Sequence, residues 1–79
     1  MFLKRTTIEF IKYVYENKGI SKSQNPFFGY YLHISYLSNL GLIQENGMNE
    51  KNQKIWILNE KGMEVAKRLK EIEEMVFSE

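Results

Sequence analysis

The sequence predicts an α+β domain, mostly helical, and three observations carry that expectation. Apolar residues recur at three- or four-residue spacing in three separate stretches, the mark of amphipathic helices. Two short β-rich stretches, Leu42-Ile43-Gln44-Glu45 and Lys54-Ile55-Trp56-Ile57-Leu58, bracket a polar loop, the mark of a hairpin. The 79 residues, 43% hydrophobic with a net charge of +1, suit one compact core and are too apolar for disorder.

The first helix is expected to open at Thr6-Thr7-Ile8-Glu9, where Thr6 and Glu9 are spaced for a reciprocal capping box. Ile8, Phe10, Ile11, Val14 and Tyr15 then recur near helical spacing until Asn17-Lys18-Gly19, where Gly19 is free to take positive φ. Ile20 reads as a brief extended residue. Ser21-Lys22-Ser23-Gln24-Asn25 reads as a short second helix or single turn capped by Ser21 and ended by Pro26. A third helix runs from Phe27 or Phe28 to Leu40, with Tyr30, Ile34 and Leu37 on its core stripe, and Gly41 ends it.

The hairpin follows. Asn46-Gly47 is spaced for a tight two-residue turn, but residues 48–53 lack matching apolar alternation, so a wider loop is preferred. Both faces of the second strand are apolar, which implies cover on each. Asn59 is placed to cap the last helix, in which Gly62 is the one weak position. Val65, Leu69, Ile72 and Val76 step by four, three and four, a coiled-coil-like seam suited to a dimer interface.

Composition excludes several classes of function. With a mean hydropathy of −0.44 and no long uncharged apolar run, nothing is expected to span a bilayer. The start, Met1-Phe2-Leu3-Lys4-Arg5, lacks the order of a secretory signal, and the cytoplasm is the expected compartment. There is no Cys, a single His and no Gly-rich phosphate loop. The expectation is therefore no enzyme, no cofactor and no metal. His33 reads as a half-buried helix residue. A core this small supplies only roughly 3–5 kcal/mol, so association with a second copy is the expected further source of stability.

Charge is distributed unevenly. Residues 1–25 set Lys4, Arg5, Lys12, Lys18 and Lys22 against Glu9 and Glu16, a net of +3, residues 26–43 carry no formal charge, and residues 63–79 are net −2. A basic front and an acidic tail are compatible with a face turned toward a polyanion.

Two stretches carry a family resemblance. His33-Ile34-Ser35-Tyr36-Leu37-Ser38-Asn39-Leu40-Gly41-Leu42-Ile43 resembles the end of a recognition helix passing into the first wing strand of the ArsR, MarR and PadR groups. Trp56-Ile57-Leu58-Asn59-Glu60-Lys61-Gly62 is similar to their aromatic-x-Leu-Thr-x-x-Gly segment, with Asn59 in place of the usual Thr. The order of elements resembles the winged helix-turn-helix, and small archaeal DNA-binding proteins with a C-terminal dimerising helix are the nearest type. The likeness covers about residues 6 to 77, although Ser21 to Gly29 is several residues shorter than in those groups.

The resemblance implies a single winged-helix domain over residues 1–79, with core and wing at 6–58 and a dimerisation helix at 59–77. It implies a dimeric regulator on double-stranded DNA, its third helix in the major groove and its wing on the backbone. The residues placed to touch DNA are then Tyr31, Leu32, Ser35 and Asn39 on the third helix, Ser21, Lys22, Ser23 and Gln24 before it, and Lys51, Asn52, Gln53 and Lys54 in the wing. Lys4 and Arg5 add charge beside the first helix. The third helix has no Arg or Lys, so guanine readout should be poor. The competing expectations are a winged helix used for protein contact and a DNA-coating protein without sequence preference.

Overall fold

The computed structural model describes residues 4 to 77. Its order is helix α1 (Arg5–Asn17), a 3-10 turn (Lys22–Gln24), helix α2 (Tyr30–Asn39), strands β1 (Ile43–Met48) and β2 (Lys54–Leu58), and helix α3 (Glu60–Phe77). The architecture is α+β and mostly helical, with three α-helices and one two-stranded antiparallel hairpin among the described residues. No helix among them is long and apolar enough to cross a membrane.

α1 buries Thr7, Phe10, Ile11 and Val14. The helix begins at Arg5, two residues before the start that a Thr6 cap would give, behind an extended Lys4, and no side chain caps it. The expected start at Thr6 is corrected accordingly: Thr6 lies inside the helix, and the amide of Ile8 bonds the carbonyl of Lys4 at 3.0 Å. At the other end Lys18, with φ 59°, takes the left-handed position expected of Gly19, and Gly19 follows at φ 144°.

Ile20 pairs with Trp56 as an antiparallel bridge, each amide donating to the other's carbonyl at 2.9 Å. The short second helix is only a 3-10 turn, anchored by the Tyr13 hydroxyl donating to the Gln24 carbonyl at 2.9 Å. The third predicted helix is α2, and it starts at Tyr30 rather than at Phe27 or Phe28. The cause is Asn25, whose carboxamide accepts from the Phe27 amide at 3.0 Å and donates to the Phe27 carbonyl, holding those residues in a turn.

Tyr30, Ile34 and Leu37 of α2 are buried, as their spacing implies. The helix closes in a Schellman arrangement, with Leu42 N–H on the Leu37 carbonyl, Gly41 N–H on the Ser38 carbonyl and Gly41 left-handed at φ 73°. The chain thus turns at once into β1, and Leu42 and Ile43 complete the core with Leu58 of β2 and Ala66 of α3.

The hairpin pairs Ile43 with Leu58, Gln44 with Ile57 and Glu45 with Trp56, then shifts register before Met48 pairs with Lys54. Asn46-Gly47 therefore lies in a bulge, and the loop expected over 46–53 narrows to Asn49–Gln53. Asn49 organises it by accepting the amides of Lys51 and Gln53 at 2.9 and 3.0 Å. Asn59 caps α3, accepting the Gly62 amide at 2.8 Å, and its NH2 donates to the Gly41 carbonyl at 2.8 Å. The carboxamide makes both bonds at once because its acceptor and its donor are separate atoms.

Candidate nucleic-acid interface

α2 lies between two surface hollows, and its exposed side chains divide between them. On one side a hollow of about 510 Å³ is formed by Lys4, just before α1, and Thr7 of α1 with Phe28, Leu32, Ser35 and Asn39 around α2; His33 and Tyr36 complete its wall. On the other, a hollow of about 570 Å³ runs between α2 and the hairpin, lined by Lys22, Tyr31, Asn52, Gln53, Lys54 and Trp56. Neither hollow is lined by an acidic residue. Within the second, the Lys22 ammonium sits 4.9 Å from the centre of the Tyr31 ring, within cation–π range.

The fold thus gathers nine of the fourteen residues that the sequence singled out: Lys4, Leu32, Ser35 and Asn39 on one flank, Lys22, Tyr31, Asn52, Gln53 and Lys54 on the other. Arg5, Ser23, Gln24 and Lys51 are exposed nearby in sequence but line neither hollow. Ser21 is the correction. It is only 1% exposed, and its hydroxyl donates to the Gln24 side chain at 3.3 Å, so it supports the turn from inside and offers no surface to a ligand.

Two more expected contacts are already engaged within the chain. Gln53 accepts the Ser23 amide at 3.2 Å and the Asn49 carboxamide at 3.1 Å, which pins the hairpin tip to the 3-10 turn. Lys54 forms an ion pair with Glu45 across the hairpin at 2.6 Å. Lys51 has no ion pair among the described residues.

Sequence reading missed how differently two neighbouring phenylalanines are used. Phe27 packs against the core with its ring tilted against Phe10, centres 5.4 Å apart, whereas Phe28 is 98% exposed at the mouth of α2. Adjacent identical residues give no periodic signal, and only the Asn25 turn decides which of them faces in. With Leu32 at 77% and Tyr31 at 65% exposure, Phe28 forms an uncharged apolar patch over the first turn of the helix. His33 is half-buried behind that patch, stacked on Phe10 at 4.8 Å, and burial pushes its pKa down, with a hydrogen bond to the Phe28 backbone opposing the shift in part.

The seam on α3 splits. Val65 and Leu69 are partly buried against the chain's own core, while Ile72 and Val76 are exposed together with Met75. The reason is length: the core ends at about Leu69, and the helix continues past it. A Lys12–Glu73 ion pair at 2.8 Å is the tie between α1 and this outer part of α3. Among the described residues no group of His, Cys, Asp and Glu could hold a metal ion. Comparison with family models, with curated proteins and with solved structures gives no match, so the meaning of the site rests on its geometry and chemistry.

Proposed function

We propose that this chain is a double-stranded DNA-binding protein of winged helix-turn-helix type, acting as a dimeric transcriptional regulator. α2 enters the major groove and the β1–β2 hairpin lies on the flanking backbone. The observation that carries the reading is the pair of hollows on either side of an uncharged helix, neither lined by a carboxylate, one holding Lys4 and the other Lys22; the Glu45 carboxylate at the edge of the second is neutralised by Lys54. A helix that must approach a polyanion closely gains from cations at its flanks and loses from any carboxylate. The third hollow offers a contrast, since Glu16 and Glu60 stand in it beside Lys18 and Lys70.

The charges set the expected scale. Lys4, Arg5, Lys22 and Lys51 of two copies neutralise at most eight phosphates, a log–log salt slope of roughly −7 and an affinity loss of about 10⁴-fold between about 50 and about 200 mM salt. Titration of a labelled duplex at those two concentrations is the test. Tight binding with that slope supports the regulator. Absence of binding at the lower concentration removes it and leaves the protein-contact reading, which the exposure of Phe28 and Leu32 favours. Competition by random duplex separates a regulator from a coating protein, since a regulator prefers its site by orders of magnitude.

A further inference from the structure

Resting on the DNA-binding reading, we propose that α2 selects its duplex through the C5-methyl groups of thymine, so that its targets are A·T-rich major grooves. The inference comes from what the exposed part of the helix contains. Phe28, Tyr31 and Leu32 project at its entrance without being needed by the core. From Tyr30 to Ser38 there is no Arg, Lys, Asn or Gln, the side chains that form paired hydrogen bonds with guanine or adenine. Asn39 is the first carboxamide, and it stands at the far end of α2.

Ser35 is exposed between these residues and Asn39, but a hydroxyl donates or accepts and so bonds several base edges alike. The remaining feature of the major groove that an aliphatic or aromatic side chain can distinguish is the thymine methyl group. A protein partner could also cover an apolar patch of this kind. The cations favour DNA, because Lys4 beside Leu32 and Lys22 beside Tyr31 complement phosphates on both sides of the patch, and the one carboxylate seen at the hairpin edge, Glu45, is paired with Lys54.

Four labelled duplexes of equal length test this at low salt: an A·T-rich one, the same with deoxyuridine for thymidine, a G·C-rich one, and the same with 5-methylcytosine for cytosine. Each substitution changes the methyl group while keeping the Watson–Crick pairs. Thymine is expected to bind tighter than uracil by about fourfold per buried methyl group, so about fifteenfold with one contact in each half-site. Methylcytosine should exceed cytosine in the same direction.

Leu32→Ala, at a position outside the core, should draw both ratios toward one without altering the salt slope, and circular dichroism checks that the fold is kept. Equal affinity for thymine and uracil duplexes, with the salt slope intact, overturns the methyl inference and leaves DNA binding standing. Failure of all four duplexes to bind in a salt-dependent way overturns both and returns the patch to a protein partner.

Discussion

Gly62 shows how a single residue can look weak in a sequence and be required by a structure. A glycine inside a helix costs at most about 1 kcal/mol relative to alanine, and Gly62 stands in the first turn of α3. Here a Cβ at position 62 would overlap the Leu42 carbonyl oxygen and stand 3.1 Å from Leu58 Cδ2. That carbonyl cannot move away cheaply, because it accepts the Asn59 amide at 3.0 Å. Gly62→Ala should therefore destabilise the protein despite its better helix propensity, by about 2 kcal/mol net of the propensity gain, and lower the melting temperature by about 10 °C. An unchanged or raised melting temperature would show that α3 does not press on Leu42. His33 makes a second prediction at this scale. Burial holds its folded pKa below the ordinary 6.5, so the folded state binds fewer protons than the unfolded one. The stabilisation is complete above about pH 6.5, declines as pH falls through that value, and levels off once the folded value is passed. His33→Phe keeps a ring against Phe10 and should flatten this part of the profile in melts between about pH 7 and about pH 5. Neither effect was legible in the sequence: a glycine's nearest backbone and a histidine's stacking partner are both set by chain segments far away.

Among the elements, the helices were the most legible. Phe10, Ile11 and Val14 of α1 and Tyr30, Ile34 and Leu37 of α2 stand at spacings that only a helix brings to one side, and all six are buried. The hairpin was legible as a hairpin but not in its detail, because Asn46-Gly47 satisfies the rules for a turn and for a bulge equally. What decides is Asn49, whose side chain accepts two amides and closes the loop without help from turn propensity. The charges of the hairpin likewise needed the structure. Lys51 and Lys54 look equivalent in sequence, but the ammonium of Lys54 is held by Glu45. On the DNA-binding reading, Lys51→Ala should therefore weaken binding to every duplex alike and reduce the magnitude of the salt slope by about 0.9 per protomer. The double variant Glu45→Ala/Lys54→Ala removes the ion pair with no change of net charge and should leave that slope where it was. If the double variant lowers the slope as much as Lys51→Ala does, Lys54 reaches a phosphate and the ion pair opens on binding.

At the scale of the whole molecule the governing feature is an elongated body, 44 × 23 × 22 Å, from which α3 extends past the core. The spacing of Val65, Leu69, Ile72 and Val76 is continuous, so no periodicity could reveal that the first two serve this chain and the last two are left exposed; the break is where the core ends. Exposed Ile72, Met75 and Val76 from each of two copies give six side chains, worth about 1.5 kcal/mol apiece when covered, or roughly 9 kcal/mol. Association costs at least about 4 kcal/mol, which leaves a surplus of a few kcal/mol and a dimer that dissociates on dilution. Sedimentation over roughly three decades of concentration should show that transition in the parent. In Ile72→Gln/Val76→Gln it should be absent, with monomer throughout. Glutamine favours helix more than isoleucine or valine does, so the melting curve of the dilute protein should be preserved and a loss of dimer cannot be a loss of fold. Val65→Ala should do the reverse, lowering stability in dilute solution because it opens the protomer's own core. If the outer part of α3 joins two copies as proposed, the glutamine variant also halves the phosphates engaged, and its DNA salt slope falls from roughly −7 to about half that value. A parent that stays monomeric at every concentration would end the dimeric reading and leave each α2 to meet its partner alone.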